Sequence, residues 1–228
     1  MSKYVAAVDL GATSGRICLG WLEEDLLKLE EIYRFSHEAV SKDGNLYWQW
    51  DYIVDEVIKG LKEARKRGEL ASIGVDFWAV DYGLLDADNN LVNTPRCYRD
   101  SRADKYFEAI PKELTPQYIY GKTGIQFLFF NTLYQLAAEK NEGNLNKAKK
   151  FLMLPDLLNF ILCGSETNET TNASSTQLLN AYTRDWDWEL IERVGLPKEV
   201  FPKLHQPGVD RKSTRLNSSH TDISRMPS

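Results

Sequence analysis

The sequence predicts an α/β domain, and three observations carry that expectation. The first third holds three apolar runs separated by turn residues, the pattern of an antiparallel meander. An amphipathic helical segment follows and leads into a buried strand, giving a strand, helix and strand order. Most of the remaining chain reads as short helical segments, the last of them stopped by Gly195-Leu196-Pro197.

Taken in order, Tyr4 to Leu10, Arg16 to Leu22 and Leu27 to Phe35 read as strands, with a loop at Ser41 to Asn45. From about Asp51 to Arg67, Ile53, Val57, Ile58 and Leu61 recur at helical spacing. The basic run Lys62 to Arg67 suits the negative end of that helix. Ile73-Gly74-Val75-Asp76-Phe77 reads as a buried strand, and Asp86 to Asn90 as a turn between two strands. Helices are expected at Ala103 to Ala109, Pro116 to Tyr120, Leu133 to Glu139, Pro155 to Leu162 and Trp188 to Val194. Phe151 to Leu154 is a short strand, and Gly195-Leu196-Pro197 stops the last helix.

Composition excludes several function classes. With 43% apolar residues over 228 positions the chain can bury a sizeable core. A formal charge of −5 argues against a nucleic-acid surface. No run approaches the roughly 18 apolar residues of a membrane helix. Met1-Ser2-Lys3 leads straight into a strand, so a cytoplasmic location is expected. Cys18, Cys97 and Cys163 fit neither a disulfide framework nor a metal cluster, and Cys18 reads as strand core. His37 and His205 lack a partner pattern and read as surface or turn residues.

The most informative segment is Asp9-Leu10-Gly11-Ala12-Thr13-Ser14-Gly15-Arg16, set between two apolar runs. A strand ending in a carboxylate, then two glycines and two hydroxyl residues, suits a tight turn that points N–H groups at an anion. Asp9 can hold a magnesium-bound water, and Arg16 can brace the turn or face a phosphate oxygen. There is no Gly-Lys-Ser/Thr ending, and a strand follows where a dinucleotide fold would open a helix. On its own the segment is equally a bare hairpin turn.

Further strings extend the pattern: Trp78-Ala79-Val80-Asp81-Tyr82-Gly83-Leu84-Leu85-Asp86, Tyr98-Arg99-Asp100-Ser101-Arg102, Gly121 to Phe127 running into Asn131 to Leu136, Leu152-Met153-Leu154-Pro155-Asp156, and Thr171 to Leu178. With the Asp9 segment these resemble the N-terminal half of FGGY carbohydrate kinases, of the rhamnulokinase type, within the actin and hexokinase-like superfamily. The resemblance implies a ribonuclease-H-like domain over residues 1–208, with a second, C-terminal domain as its packing partner. It implies ATP and magnesium at Asp9, Gly11, Ala12, Thr13, Ser14, Gly15 and Arg16. It places a sugar, L-rhamnulose, at Trp78, Ala79, Asp81 and Arg99. Trp78 can offer an apolar face to a 6-deoxy sugar, while Asp81 and Arg99 can bind hydroxyls in paired fashion. A core tryptophan with a turn aspartate, and a surface ion pair of Arg99 with Asp100, are the plainer readings. The family usually carries glycine where Ala79 stands, which bears on the choice of sugar.

In the family the general base is an aspartate beyond the stretch that matches here, so no catalytic base is expected in this chain and little activity from it alone. The Thr170 to Gln177 segment either lines the cleft or caps a helix through Thr171 or Ser174. From Val209 onward the composition is that of a disordered tail, and the string resembles the read-through of a sequencing adapter, so residues 209–228 are expected to be foreign to the domain. A kinase for another sugar, fuculose or xylulose, and a non-catalytic actin-like binding domain stand as the alternatives.

Overall fold

The structure, a computed structural model, describes residues 3–211. Most of the expected foreign tail, residues 212–228, therefore lies outside the described residues. At its start, Arg211 Nη2 lies 2.7 Å from the buried Asp156 Oδ1.

Strands β1 (Tyr4–Leu10), β2 (Ser14–Glu23) and β3 (Leu26–Ser36) form the expected antiparallel meander. Alternation along β1 decides the core face: Ala6, Val8 and Leu10 are buried, while Val5 and Ala7 are exposed. Cys18 is buried, as its strand position implies. The Ser41 to Asn45 segment is not a plain loop. It is the tip of a second hairpin, β4 (Ala39–Lys42) with β5 (Asn45–Trp48). Asp43 at φ +51° and Gly44 at φ +78° supply the two left-handed residues that a two-residue turn needs.

Helix α1 (Trp50–Arg67) buries Trp50, Ile53, Val57, Leu61 and Ala64, and carries Arg65, Lys66 and Arg67 in its last turn. It crosses over to β6 (Leu70–Phe77), which pairs parallel with β1 and gives the sheet order β3-β2-β1-β6. This strand, helix and strand order is the ribonuclease-H-like unit. A second layer follows: β7 (Tyr82–Leu85), α2 (Asp104–Leu114), α3 (Pro116–Thr123), α4 (Thr132–Asn141), β8 (Lys150–Met153), α5 (Leu154–Cys163), β9 (Asn168–Glu169), α6 (Thr170–Ala173), α7 (Trp188–Val194) and β10 (Leu204–His205). β8 pairs antiparallel with β7, and β10 parallel with β9. Helix α2 runs past the expected end at Ala109, through Pro111, because Ile110 and Leu114 are buried beyond it. That burial outweighs the one backbone bond proline forgoes.

Two apolar clusters result. One lies between the sheet, α1 and α5 around Val8, Ile17, Trp48, Val57 and Leu158. The other surrounds α4, with Ile119, Leu133, Tyr134, Phe151, Trp186 and Leu190. Helix α1 reaches the sheet at Gly60, where an added Cβ would lie 2.3 Å from Ile17 Cγ1 and 2.9 Å from Tyr33 Cδ1. Alanine at an open helix position gains about 1 kcal/mol over glycine. Here Gly60→Ala is expected to lose about 1–3 kcal/mol instead, seen as a lower urea midpoint with an unchanged slope.

Candidate functional site

The site is set by the carboxyl ends of two parallel strands. Leu10 at the end of β1 is paired with Phe77 at the end of β6, and the Trp78 N–H donates to the Leu10 carbonyl at 3.1 Å. Gly11 and Trp78 therefore leave the sheet side by side, at the edge where open α/β sheets take ligands. The two segments singled out in the sequence, 67 residues apart in numbering, become neighbours.

Between β1 and β2 the chain turns through Gly11, Ala12, Thr13 and Ser14, closed by Gly11 N–H donating to Ser14 O at 2.9 Å. Arg16 faces Asp9 across the hairpin, its Nε and Nη2 both 2.6 Å from Asp9 Oδ2. Of its two expected roles Arg16 performs the bracing one, and the carboxylate holds its guanidinium pKa up. The glycines act differently from expectation. Neither Gly11 nor Gly15 has a positive φ. Gly15 is required by packing, because a Cβ there would meet Leu10 Cδ2 at 2.3 Å and Phe35 Cζ at 2.4 Å. At Gly11 the closest contact of a Cβ is the Ser14 carbonyl at 3.6 Å, so local packing does not demand glycine.

Among the described residues no protein acceptor takes the Ala12 or Thr13 N–H or the Thr13 and Ser14 hydroxyls. A cluster of free donors beside a carboxylate is the chemistry that a phosphate chain and its magnesium require. Asp76, which sequence reasoning passed over, is in register with Asp9 on the same sheet face and is exposed. No group of three or more His, Cys, Asp or Glu residues suited to a metal occurs among the described residues.

On the other side of Leu10, Asp81 does not face a ligand. It is 0% exposed. Its Oδ2 accepts from Trp48 Nε1 at 2.6 Å, Trp78 Nε1 at 3.0 Å and Tyr98 N–H at 3.2 Å, and its Oδ1 from Gln135 Nε2 at 3.3 Å. Arg99 is exposed and lies 5.0 Å over the Tyr98 ring. The expected pairing of Asp81 with Arg99 on hydroxyls is thus corrected: protein donors consume the carboxylate, and only Arg99 is open to solvent. In the neighbouring motif Arg102 is buried, with Nη2 donating to Gln135 Oε1 at 2.9 Å and lying 3.5 Å from Glu139 Oε1.

Val80 carries φ +68°, and Asp81 N–H donates back to Ala79 O at 2.9 Å. This is a tight three-residue turn, strained for a β-branched residue. Three side chains hold it. Ser175 Oγ accepts the Val80 N–H at 3.3 Å, while Thr132 Oγ1 and Gln135 Nε2 donate to Val80 O at 2.7 and 3.3 Å. The turn leaves Ala79 exposed and Trp78 half-buried. The Ser/Thr-rich segment thereby gains a definite position against the turn. Its helix is capped by Glu169, which accepts the Thr171 and Asn172 N–H groups, not by Thr171 or Ser174.

His37 is likewise corrected from a surface residue to a buried one, 5% exposed. Nε2 lies 2.9 Å from Gly11 O, and the ring stacks on Trp78 at 5.2 Å between centroids, 29° between planes. Burial lowers its pKa. Trp48, also missed, packs on Trp78 at 4.4 Å. Both act through partners far away in sequence, so no local signal marks them.

The match to the FGGY family of carbohydrate kinases, N-terminal domain, covers residues 4–221. The chain belongs to the FGGY carbohydrate kinases. That span runs past the Gly208 boundary expected from composition. A rhamnulokinase of Oceanobacillus iheyensis is 42% identical over 210 residues, covering 91% of this chain and 45% of the relative. A rhamnulokinase of Bacillus subtilis is 41% identical over 205 residues, covering 90% and 42%. Among solved structures, gluconate kinase from Lactobacillus acidophilus superposes with a TM-score of 0.82 at 23% identity, over 94% of this chain and 44% of that one. Xylulose kinase from the same organism gives 0.80 at 24%, over 90% and 42%. These two likenesses bear on the FGGY fold alone. The chain spans less than half the length of the curated relatives it matches. No helix among the described residues is long and apolar enough to cross a membrane.

Burial pushes Asp81 up to about 6, against the lowering effect of its four donors. A carboxyl whose folded pKa is raised stabilises the fold most fully below its unfolded value near ~3.9, and that contribution is lost as pH rises through about 6. The stability of the parent relative to Asp81→Asn is therefore expected to fall between about pH 4 and about pH 7, by up to ~3 kcal/mol. Urea denaturation of both proteins across that range measures it.

Proposed function

We propose that this chain is the N-terminal half of a sugar kinase that transfers the γ-phosphoryl group of ATP to the 1-hydroxyl of L-rhamnulose, in rhamnose breakdown. One observation carries the reading: the Gly11 to Gly15 turn, with its free donors, lies beside the Trp78-Ala79 wall at the ends of β1 and β6. The relatives at 41–42% identity are rhamnulokinases, which supports the choice of sugar.

The Ala12 and Thr13 N–H groups and the Thr13 and Ser14 hydroxyls would hold phosphate oxygens between Gly11 and Gly15, with Gly15 leaving room for Leu10 and Phe35. Magnesium, when bound with Asp9 as its carboxylate, would neutralise charge on the transferring group. Trp78 would offer the unpacked part of its ring to the sugar's apolar face, the exposed Ala79 would border it, and Arg99 would bind hydroxyls. Asp81 would act by holding Trp78 in place.

The attacking hydroxyl must give up a proton. Asp9 is tied to Arg16 and Asp81 is enclosed by four donors, so neither serves as acceptor. As the family resemblance implies, we assign the general base to the other half of the relatives' length. The location is cytoplasmic in this reading.

A coupled ADP-release assay with L-rhamnulose and magnesium ATP tests the proposal. The chain alone is expected to stay at background. Joining it to the C-terminal half of a rhamnulokinase is expected to raise turnover by at least ~10²-fold, the contribution of a general base. Comparable turnover by the chain alone would overturn the assignment of the base, and a preference for L-fuculose or D-xylulose would overturn that of the sugar. In the joined enzyme Ala79→Gly is expected to lower KM for L-rhamnulose by a factor on the order of 10, the worth of one methyl group in a pocket. An unchanged KM would place the sugar away from Ala79.

A further inference from the structure

We propose that His37 is a positioning residue that fixes the phosphate turn and ties it to the sugar-side wall. The inference deepens the reading of the Gly11 to Gly15 turn given above and rests on it. His37 follows β3, whose last pair with β2 is Ser36 with Ser14, so the chain delivers it beside the turn.

Two carbonyls of the turn point at this one residue. The His37 N–H donates to Thr13 O at 3.0 Å, and Nε2 lies 2.9 Å from Gly11 O. A carbonyl oxygen only accepts, so Nε2 carries the proton and the neutral ring keeps a bare Nδ1. Nδ1 is buried without a hydrogen-bond partner among the described residues, so the ring has no competing tether. In a trans peptide the N–H points opposite to its own C=O. No cis peptide occurs among the described residues. With the Gly11 and Thr13 carbonyls turned to His37, the Ala12 and Ser14 N–H groups are turned away from it. The histidine thus sets the direction of the Ala12 N–H, one of the donors that the phosphates would meet, and of the Ser14 N–H beside it.

The other end of the coupling is the ring itself. It is stacked on Trp78, meets Trp48 edge-on at 5.7 Å and Phe35 at 6.1 Å, and has no room to tilt without moving them. Trp78 is held in turn through its Nε1–H on Asp81. A shift of the Gly11 peptide therefore reaches the tryptophan through one side chain.

Two substitutions separate the halves of this role. His37→Phe keeps an aromatic ring against Trp78 and loses the donor to Gly11; His37→Gln keeps a donor and loses the stack. Backbone ¹⁵N relaxation on the 228-residue chain, without ligand, is the readout. In the parent, order parameters of Ala12 to Ser14 are expected near about 0.85, falling below about 0.6 in H37F while the interiors of β1 and β2 stay rigid. In H37Q the turn is expected to stay ordered while the Trp78 indole N–H resonance shifts. Equal turn order in H37F and parent, or an unmoved Trp78 resonance in H37Q, would overturn the proposal. A measurement on the unsubstituted chain stands beside these: long-range ¹H–¹⁵N correlation is expected to show the proton on Nε2, and a proton on Nδ1 alone would overturn it. Magnesium ATP is then titrated into the parent and H37F. About tenfold weaker binding to H37F supports the coupling, and equal affinity contradicts it. If the parent binds none, the nucleotide reading of the turn fails, while the ligand-free comparison still decides the role of His37.

Discussion

A carboxylate without water is the constraint on which this domain is arranged. An isolated charge in a protein interior costs several kcal/mol, and Asp81 is fully enclosed. Its four donors come from four stretches of chain: Trp48 at the end of β5, Trp78 after β6, Tyr98 before the 3₁₀ turn at Ser101, and Gln135 on α4. To satisfy one residue, the sheet unit and the helical half must meet in one relative position. Two indole N–H groups aimed at one oxygen also fix two tryptophan rings, so the wall formed by Trp78 is a by-product of satisfying Asp81.

The strain at Val80 belongs to the same arrangement. A β-branched residue at positive φ persists only where its surroundings over-determine it. Here Ser175, Thr132 and Gln135 grip both backbone polar groups of Val80. The result is an exposed Ala79 on a rigid base. Across Leu10, the Gly11 to Gly15 turn is held by different means: an Asp9 and Arg16 pair on one sheet face, and His37 against the turn carbonyls. His37, against the turn carbonyls and stacked on Trp78, is the residue that joins the two sides. The two carboxylates that the motifs single out, Asp9 and Asp81, are those doing this holding.

Several features were legible because their causes are local. The meander, α1 and α7 follow from the spacing of apolar residues a few positions apart, and the basic end of α1 from the dipole of its own backbone. The β4 and β5 hairpin carries an equally local mark, Asp43-Gly44, which a reading of the segment as loop overlooks. Other features have no local cause. The expected helix ends at Ala109, yet α2 continues through Pro111 because Ile110 and Leu114 find a core contributed by other helices. Gly15 reads as a turn residue, yet it is glycine because Leu10 and Phe35 occupy the space of its side chain. His37 carries no pattern at all, since its partners Gly11 and Trp78 lie on either side of it at long range.

By itself the sequence determined the α/β class and the family, and marked the two segments that the fold brings side by side, since periodicity, turn chemistry and ordered motifs are properties of neighbouring residues. Only the tertiary structure decided what each polar side chain is free to do. Asp81 was a sugar ligand on paper and is a sealed anchor in the fold, while Arg99, seventeen residues after Tyr82, is the group left open to solvent. Exposure and hydrogen-bond partners are set by residues that are remote in the chain and adjacent in space, and no pattern of near neighbours encodes them.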